Sequence, residues 1–236
     1  MRALVTGGSK GIGFAIAEAI AAAGGKVTIT GRDQMRVSAA VTALLKSAGP
    51  GATVRGVAAD VRDRYGIEAA VDEAAAAQGG LDILVNNAGV GVFTDVENMS
   101  DDQWRQVIDT NLTGVFYATR PAIPHLKHAG GGWIINIASL AGRNYFANGA
   151  AYCASKAGLV AFSESLMLEL RNDNIRVSCI MPGSVATEFN GPSEKTDDSW
   201  KLTGEDIAEV VMDLLRHPKR SLPSKIEIRP ARTAKG

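Results

Sequence analysis

Short apolar runs at residues 3–6, 26–30, 53–58, 81–85, 133–137, 176–181 and 225–229 recur along the chain, and helical stretches stand between most of them. That alternation admits few folds. Strands buried on both faces read as unbroken apolar runs, and successive parallel strands need a crossover helix between them. We therefore expect an α/β chain: one doubly wound domain over residues 1–236, with a seven-stranded parallel sheet in the order 3-2-1-4-5-6-7 and helices on both faces. At 236 residues and 46% hydrophobic content the chain can bury one large core, and neither a linker nor an internal repeat divides it.

The first run opens into a glycine-rich turn, Thr6 to Gly13, which reads TGGSKGIG and leads into an amphipathic stretch ending at Ala23. Strand, glycine turn and helix bring backbone N–H groups and a helix N-terminus up to a diphosphate. The spacing Gly7, Gly11, Gly13 departs from G-x-G-x-x-G, and a tight βα connection would also explain it. In a dinucleotide fold the residue closing the second strand meets the adenosine ribose, and an acid there binds the 2′-hydroxyl of NAD. Gly31 holds that place, Arg32 follows it, and Lys10 lies in the glycine turn. Two cations converging on a 2′-phosphate, at about 1.5 to 3 kcal/mol for each charge-assisted bond, would favour NADP over NAD by about one to two orders of magnitude or more. Two other readings stay open: both cations are solvated surface charges, or Asp33 supplies the ribose acid and the cofactor is NAD.

Further along, Asp60 and Val61 follow the third strand, and an acid there can accept from the adenine amine. A helix is expected over 64–78. The fourth strand runs into Asn86, Asn87, Ala88 and Gly89, small or amide residues that either approach a flat ring or brace neighbouring strands. Ser100 with Gln103 three residues on predicts a helix from about Asp101 past Asn111, an amide within an apolar stretch that either satisfies a distorted turn or holds a water. Pro121 and Pro124 should kink or end that helix. The polar stretch 188–202 suits a mobile flap, and with loop 90–98 it should shape the substrate pocket. Residues 204–217 read as the last helix.

Tyr152 and Lys156 fall four residues apart in a run, 151–171, rich in alanine and leucine and free of proline. They share one helix face, a turn apart. An ammonium about 5 Å from a phenol, at an effective dielectric of about 20, favours the phenolate by about 3 kcal/mol. That is about two pKa units, enough to bring a tyrosine from ~10 towards ~8, where it exchanges a proton near neutral pH. Ser139 closes the strand at 133–137, at the sheet's carboxyl end, so its hydroxyl can bond the same substrate oxygen. Taken alone, a helical Tyr/Lys pair is also ordinary surface chemistry.

Twenty-five basic and twenty-five acidic residues give no net charge, and no long basic run occurs, which argues against a nucleic acid or anionic membrane as partner. Met1 and Arg2 pass straight into the first strand and no stretch approaches a membrane span, so we expect a soluble, cytoplasmic protein. Cys153 and Cys179 fit no metal spacing and are expected as buried thiols; His125, His128 and His217 form no ligand set, so no metal is expected.

Together, TGGSKGIG from Thr6, Asp60 with Val61, NNAG from Asn86, Asn111, Ser139, YCASK from Tyr152 and PGSVAT from Pro182 resemble the short-chain dehydrogenase/reductase family along nearly the whole chain. The resemblance implies a single Rossmann domain, an NADP-preferring type similar to the 3-oxoacyl reductases, and an oxidoreductase moving a hydride between NADP(H) and a small-molecule carbonyl or secondary alcohol. It implies that Tyr152 is the general acid or base, Ser139 holds the substrate oxygen, Lys156 tunes the tyrosine and binds the nicotinamide ribose, and Asn111 keeps a water in a proton relay. Cofactor contacts would come from Gly7, Ser9, Lys10, Gly11, Ile12, Gly13, Arg32, Asp60, Val61, Asn87, Ala88, Gly89, Tyr152, Lys156, Pro182, Gly183, Val185 and Thr187. Two departures stand out: Gly130 and Asp173 occupy places where carrier-dependent 3-oxoacyl reductases use basic docking residues, and the chain lacks the glycine-rich ending of many tetrameric members. Leu159, Val160, Phe162, Leu166 and Leu168 make the Tyr152 helix apolar on more than one face, as a homodimer or homotetramer would require. The rival reading is a catalytically silent NADP(H) sensor or scaffold on the same fold, although such proteins often lose the tyrosine or lysine that this chain keeps.

Overall fold

The computed structural model describes residues 1–187 and 198–232. Seven parallel strands, β1 (Arg2–Val5), β2 (Lys26–Gly31), β3 (Thr53–Ala58), β4 (Ile83–Asn86), β5 (Gly132–Ile137), β6 (Ile175–Pro182) and β7 (Lys225–Ile228), form one sheet in the order β3-β2-β1-β4-β5-β6-β7. The order is the expected one. Helices α1 (Gly11–Ala22), α2 (Gln34–Ser47), α3 (Arg64–Gln78), α4 (Asp101–Ile108), α5 (Gly114–His128), α6 (Ala150–Leu170) and α7 (Gly204–Arg216) complete the fold.

Period-two alternation sends neighbouring strand residues to opposite faces. Val5, Ile29, Val85 and Ile135 pack beneath Ile16 and Ile20 of α1, Leu44 of α2 and Val211 and Leu214 of α7. Leu4, Leu84, Ile134 and Val177 pack against Val71 of α3, Leu126 of α5 and Leu166 and Leu170 of α6. Helix α2 has no counterpart in the sequence reading; Asp33 starts it, its carboxylate accepting the Met35 and Arg36 amides at 2.9 and 3.1 Å. The Ser100 and Gln103 capping box opens α4 as expected.

The helix does not run straight past Asn111: a π turn over Asp109–Thr113 separates α4 from α5. Nor do Pro121 and Pro124 end α5, which continues through both to His128. Each proline deprives the carbonyl four residues earlier of its amide. Those residues are Tyr117, half-buried, and Arg120, exposed, so water can reach their carbonyls and the helix survives.

A polar thread crosses the second face. Asn86 of β4 donates to Asn136 of β5 at 2.8 Å and to Thr119 of α5 at 3.0 Å. Asn136 in turn donates to Ser163 of α6 at 2.8 Å. Asn86 thus has the strand-bracing role, one of the two open to it.

Candidate active site

The strand order reverses between β1 and β4, and in open α/β sheets ligands settle at the carboxyl ends beside such a switch point. A cavity of about 810 Å³ opens there, within the roughly 300–1,000 Å³ of small-molecule sites. Ser9, Lys10 and Ile12 of the glycine turn line it, with Arg32 beyond β2, Ala88 and Val90 beyond β4, and Ser139, Tyr152 and Lys156 at its far end. Pro182, Gly183, Val185 and Thr187 close the wall after β6.

Its floor depends on close backbone approach. Gly7 has φ +64°, and a Cβ there would lie 2.8 Å from the Ala88 Cα; a Cβ on Gly13 would lie 2.3 Å from the Asn87 Nδ2. Asn87 uses that amide to donate to the Thr6 and Gly7 carbonyls at 3.1 and 3.0 Å, so it holds the turn open from behind. Gly11, φ +57°, begins α1, whose N-cap Lys10 makes no side-chain cap bond, so the amides at this helix start receive no cap from it. The buried Thr30 hydroxyl on the same wall has no hydrogen-bond partner among the described residues. Such a cradle fits a diphosphate.

At the β2 end, a Cβ on Gly31 would lie 3.2 Å from the Ser9 Oγ. An acid there would crowd the turn. Asp33 does not line the cavity, and its carboxylate caps α2, which removes the reading of Asp33 as ribose acid. Lys10 and Arg32 both stand on the wall. Asp60 and Val61 line it too. Burial pushes the Asp60 carboxyl up, but hydrogen bonds and charge from Arg62, with Nη2 2.6 Å from Oδ2, outweigh it and hold the carboxyl below its ordinary value.

At the far end, Ser139 follows β5 and accepts the Ala141 amide at 3.1 Å. Lys156 is buried; its Nζ donates to the Ile137 carbonyl at 2.9 Å and lies 5.8 Å from the centroid of the Tyr152 ring. Burial pulls the ammonium down to about 8. The expected depression of Tyr152 is overturned here: burial raises the phenol above its ordinary value, and the hydrogen bond from Ser139 offsets only part of that rise. Desolvation therefore outweighs that hydrogen bond, and it decides the direction of the shift.

Asn111 sits in the π turn and does not line the cavity. Its Oδ1 accepts the Val90 amide at 2.8 Å, and its Nδ2 donates to the Val90 carbonyl at 2.9 Å and to the Ser155 Oγ at 3.0 Å. Ser155 donates to the Tyr152 carbonyl at 2.7 Å. The amide thus satisfies the distorted turn and ties the loop after β4 to the first turn of α6.

Among the expected site residues, only Asn111 and Gly13 stand behind the wall rather than on it. The sequence reading missed Phe93, Asp198, Lys201 and Arg62. Phe93, edge-on to Tyr152 at 5.5 Å, lies in loop 90–98, where its position alone pointed to the pocket. Lys201 pairs with Asp198 at 2.5 Å on the wall; both fall within the expected flap, 188–202, but nothing in the sequence singles them out. Of the flap expected over 188–202, residues 188–197 lie outside the described residues. Among the described residues no group of three or more His, Cys, Asp or Glu is placed to hold a metal, and no helix is long and apolar enough to cross a membrane.

The family model for short chain dehydrogenases matches residues 1–198. An uncharacterized oxidoreductase of Staphylococcus aureus (strain USA300) is 32% identical over 228 residues, 97% of this chain and 96% of that relative. The 3-oxoacyl-[acyl-carrier-protein] reductase FabG of Chlamydia pneumoniae is 35% identical over 222 residues, 90% of this chain and 88% of its own. Among solved structures, a metagenomic short-chain oxidoreductase in complex with NADP superposes with a TM-score of 0.84 at 36% identity, covering 97% of this chain and 96% of that one. With its dinucleotide-sized cleft at the switch point and its Ser139, Tyr152 and Lys156 gathered at one end, the chain belongs to the short-chain dehydrogenase family of oxidoreductases.

Proposed function

We propose that the protein uses NADP(H) to reduce a ketone to a secondary alcohol, with Tyr152 as the general acid. The observation that carries this reading is the meeting of Ser139, Tyr152 and Lys156 at one end of a cavity whose other end bears Lys10 and Arg32. The bare helix start and the Gly7 and Gly11 turn would hold the diphosphate, Lys10 and Arg32 the 2′-phosphate, Asp60 and Val61 the adenine, and Pro182, Gly183, Val185 and Thr187 the nicotinamide. The relative with NADP bound supports that choice over NAD. When bound, the dinucleotide supplies the hydride.

The chain's own residues manage one proton. Ser139 bonds the substrate oxygen and orients it towards the phenol. A Tyr152 whose pKa lies above its ordinary value is protonated at neutral pH, which suits a donor to the incipient alkoxide. Lys156, still mostly charged at pH 7 with a pKa of about 8, stabilises the tyrosinate left behind and holds the cofactor ribose. Asn111 positions the loop and the first turn of α6 that flank this centre, and a water held near it would return the proton.

Two features bear on partners. Asp173, where carrier-dependent enzymes of the family place a docking cation, pairs with Lys127 at 2.8 Å, which favours a free small molecule over a carrier-bound substrate. Leu168, Phe116 and Trp104 leave apolar surface exposed on α6, α5 and α4, which supports a homodimer or homotetramer and is checked by light scattering on the purified protein.

The test is NADPH oxidation, with NADH alongside, across ketones, quinones, 3-oxoacyl thioesters and keto-sugars. Tyr152→Phe should lose at least about a hundredfold in turnover while still binding NADPH. Turnover unchanged in that variant overturns the role given to Tyr152.

A further inference from the structure

Phe93 and Tyr152 line the catalytic end of the cavity, Phe146 packs against Phe93, and the chemistry above assigns a task to Tyr152 alone. Phe93 stands edge-on to Tyr152 with ring centroids 5.5 Å apart, and Phe146 lies 5.9 Å from Phe93 at a tilt of 41°. Phe93 and Phe146 remain 41% and 49% exposed, so Phe93 presents open ring surface beside the phenol and Phe146 extends that surface from behind Phe93. The backbone is shaped to keep Phe146 there. Asn148 adopts φ 62°, and a Cβ on Gly149 would fall 2.5 Å from the Phe146 Cε2, so the ring lies directly over a residue that has no side chain.

The charges around this wall are arranged against an anionic substrate. Arg143, close to Phe146 in the chain, is engaged by Glu227 at 2.8 Å. Asp95 and Glu97 share the loop that carries Phe93. Lys156 is buried against the Ile137 carbonyl, and Lys201 is paired with Asp198. Among the described residues, then, the surface flanking the catalytic hydroxyls offers ring faces and no cation engaged by water alone.

Resting on the proposed ketone reduction, we propose that the substrate is a neutral ketone bearing an aryl or similarly flat apolar substituent, which packs on Phe93 and Phe146 while its oxygen bonds Ser139 and Tyr152. The reaction is unchanged: the carbonyl carbon gains the hydride, the oxygen gains the Tyr152 proton, and a benzylic or comparable secondary alcohol leaves with the oxidised cofactor. Offset and edge-to-face ring contacts add to the burial of the substituent, so selectivity should exceed what the extra carbon atoms alone would give.

The experiment compares kcat/KM for acetophenone, 2-butanone and pyruvate, with NADPH, in the wild type and in Phe93→Ala, Phe146→Ala and Phe93→Tyr. We expect acetophenone to exceed 2-butanone by at least about a hundredfold and pyruvate to be poorest. The acetophenone to 2-butanone ratio should fall at least about tenfold in each alanine variant and recover in Phe93→Tyr, which keeps the ring. A general disturbance of Tyr152 would lower both rates together and leave the ratio alone. A ratio unmoved by both alanine variants, or pyruvate as the preferred substrate, overturns the aromatic assignment while tyrosine-dependent turnover leaves ketone reduction standing. NADPH bound but no ketone reduced would overturn both.

Discussion

Replacing Lys156 by Met should make the cofactor-free protein more stable at neutral pH while abolishing its activity. Burial lowers this ammonium from 10.5 to about 8. At about 1.4 kcal/mol per pKa unit, keeping the charge there costs about 3 kcal/mol. The variant removes that cost but also loses the bond from Nζ to the Ile137 carbonyl, 2.9 Å long, which at about 1.5–3 kcal/mol for a charged donor cancels much of the gain. A net advantage of about 1 kcal/mol at pH 7 remains. The pH dependence separates the two contributions. An unfolded lysine keeps its proton up to about pH 10.5 and the folded one releases it near 8, so wild-type stability rises through that window. The penalty is complete below about pH 8 and gone above about 10.5. The variant has no such group, so relative to the wild type it should lose about 2 kcal/mol between pH 7 and pH 10, turning its advantage into a deficit of about 1 kcal/mol. Urea midpoints of both proteins at the two pH values measure this directly. A difference between the proteins that stays constant across the range would refute the burial cost assigned to Lys156.

Other consequences are simpler to check. Arg32→Ala should weaken NADPH binding at least about tenfold and leave NADH nearly unchanged in fluorescence titrations; equal losses would mean Arg32 does not meet the 2′-phosphate. Asp33→Ala should lower stability by about 1 kcal/mol through its lost helix cap and leave the NADPH to NADH ratio alone, whereas a ratio shifted against NADH would restore the ribose role to Asp33. Asn111→Ala should reduce kcat at least about tenfold and lower the melting temperature together, because it releases Val90 and Ser155 at once; an unchanged kcat would show that the loop after β4 holds its place without the amide.

The sheet was legible because its signal is repeated: apolar runs such as 133–137, buried on both faces, leave one economical topology, and the observed strand order is the expected one. Helix α2 was not, since only Val37, Ala40 and Leu44 are buried while other apolar residues such as Met35 and Leu45 face solvent and blur its period. The π turn escaped as well. A single extra residue in the ladder changes no composition, and only its Asn111 hinted at a distorted turn. The residue types of the site were readable from spacing, but their electrostatics were not. Sequence gives the distance between Tyr152 and Lys156 along a helix, whereas the sign of the tyrosine shift depends on how much protein covers the phenol, a property of the packed whole. Phe146 illustrates the same limit from the other direction: its approach to Phe93 requires the turn at Asn148 and Gly149, which no periodicity announces.

The polar thread from Asn86 through Asn136 to Ser163 has a consequence for assembly. A helix with apolar side chains on several faces can roll about its long axis against a sheet with little change in buried oil. Directional bonds cannot tolerate such rolling. Two strands and two helices that share amide and hydroxyl partners at 2.8–3.0 Å meet them all in one angular setting of α6, much as a keyway indexes a shaft. Because Tyr152 and Lys156 ride on that shaft, the bonds made deep in the core decide which way the catalytic hydroxyl faces.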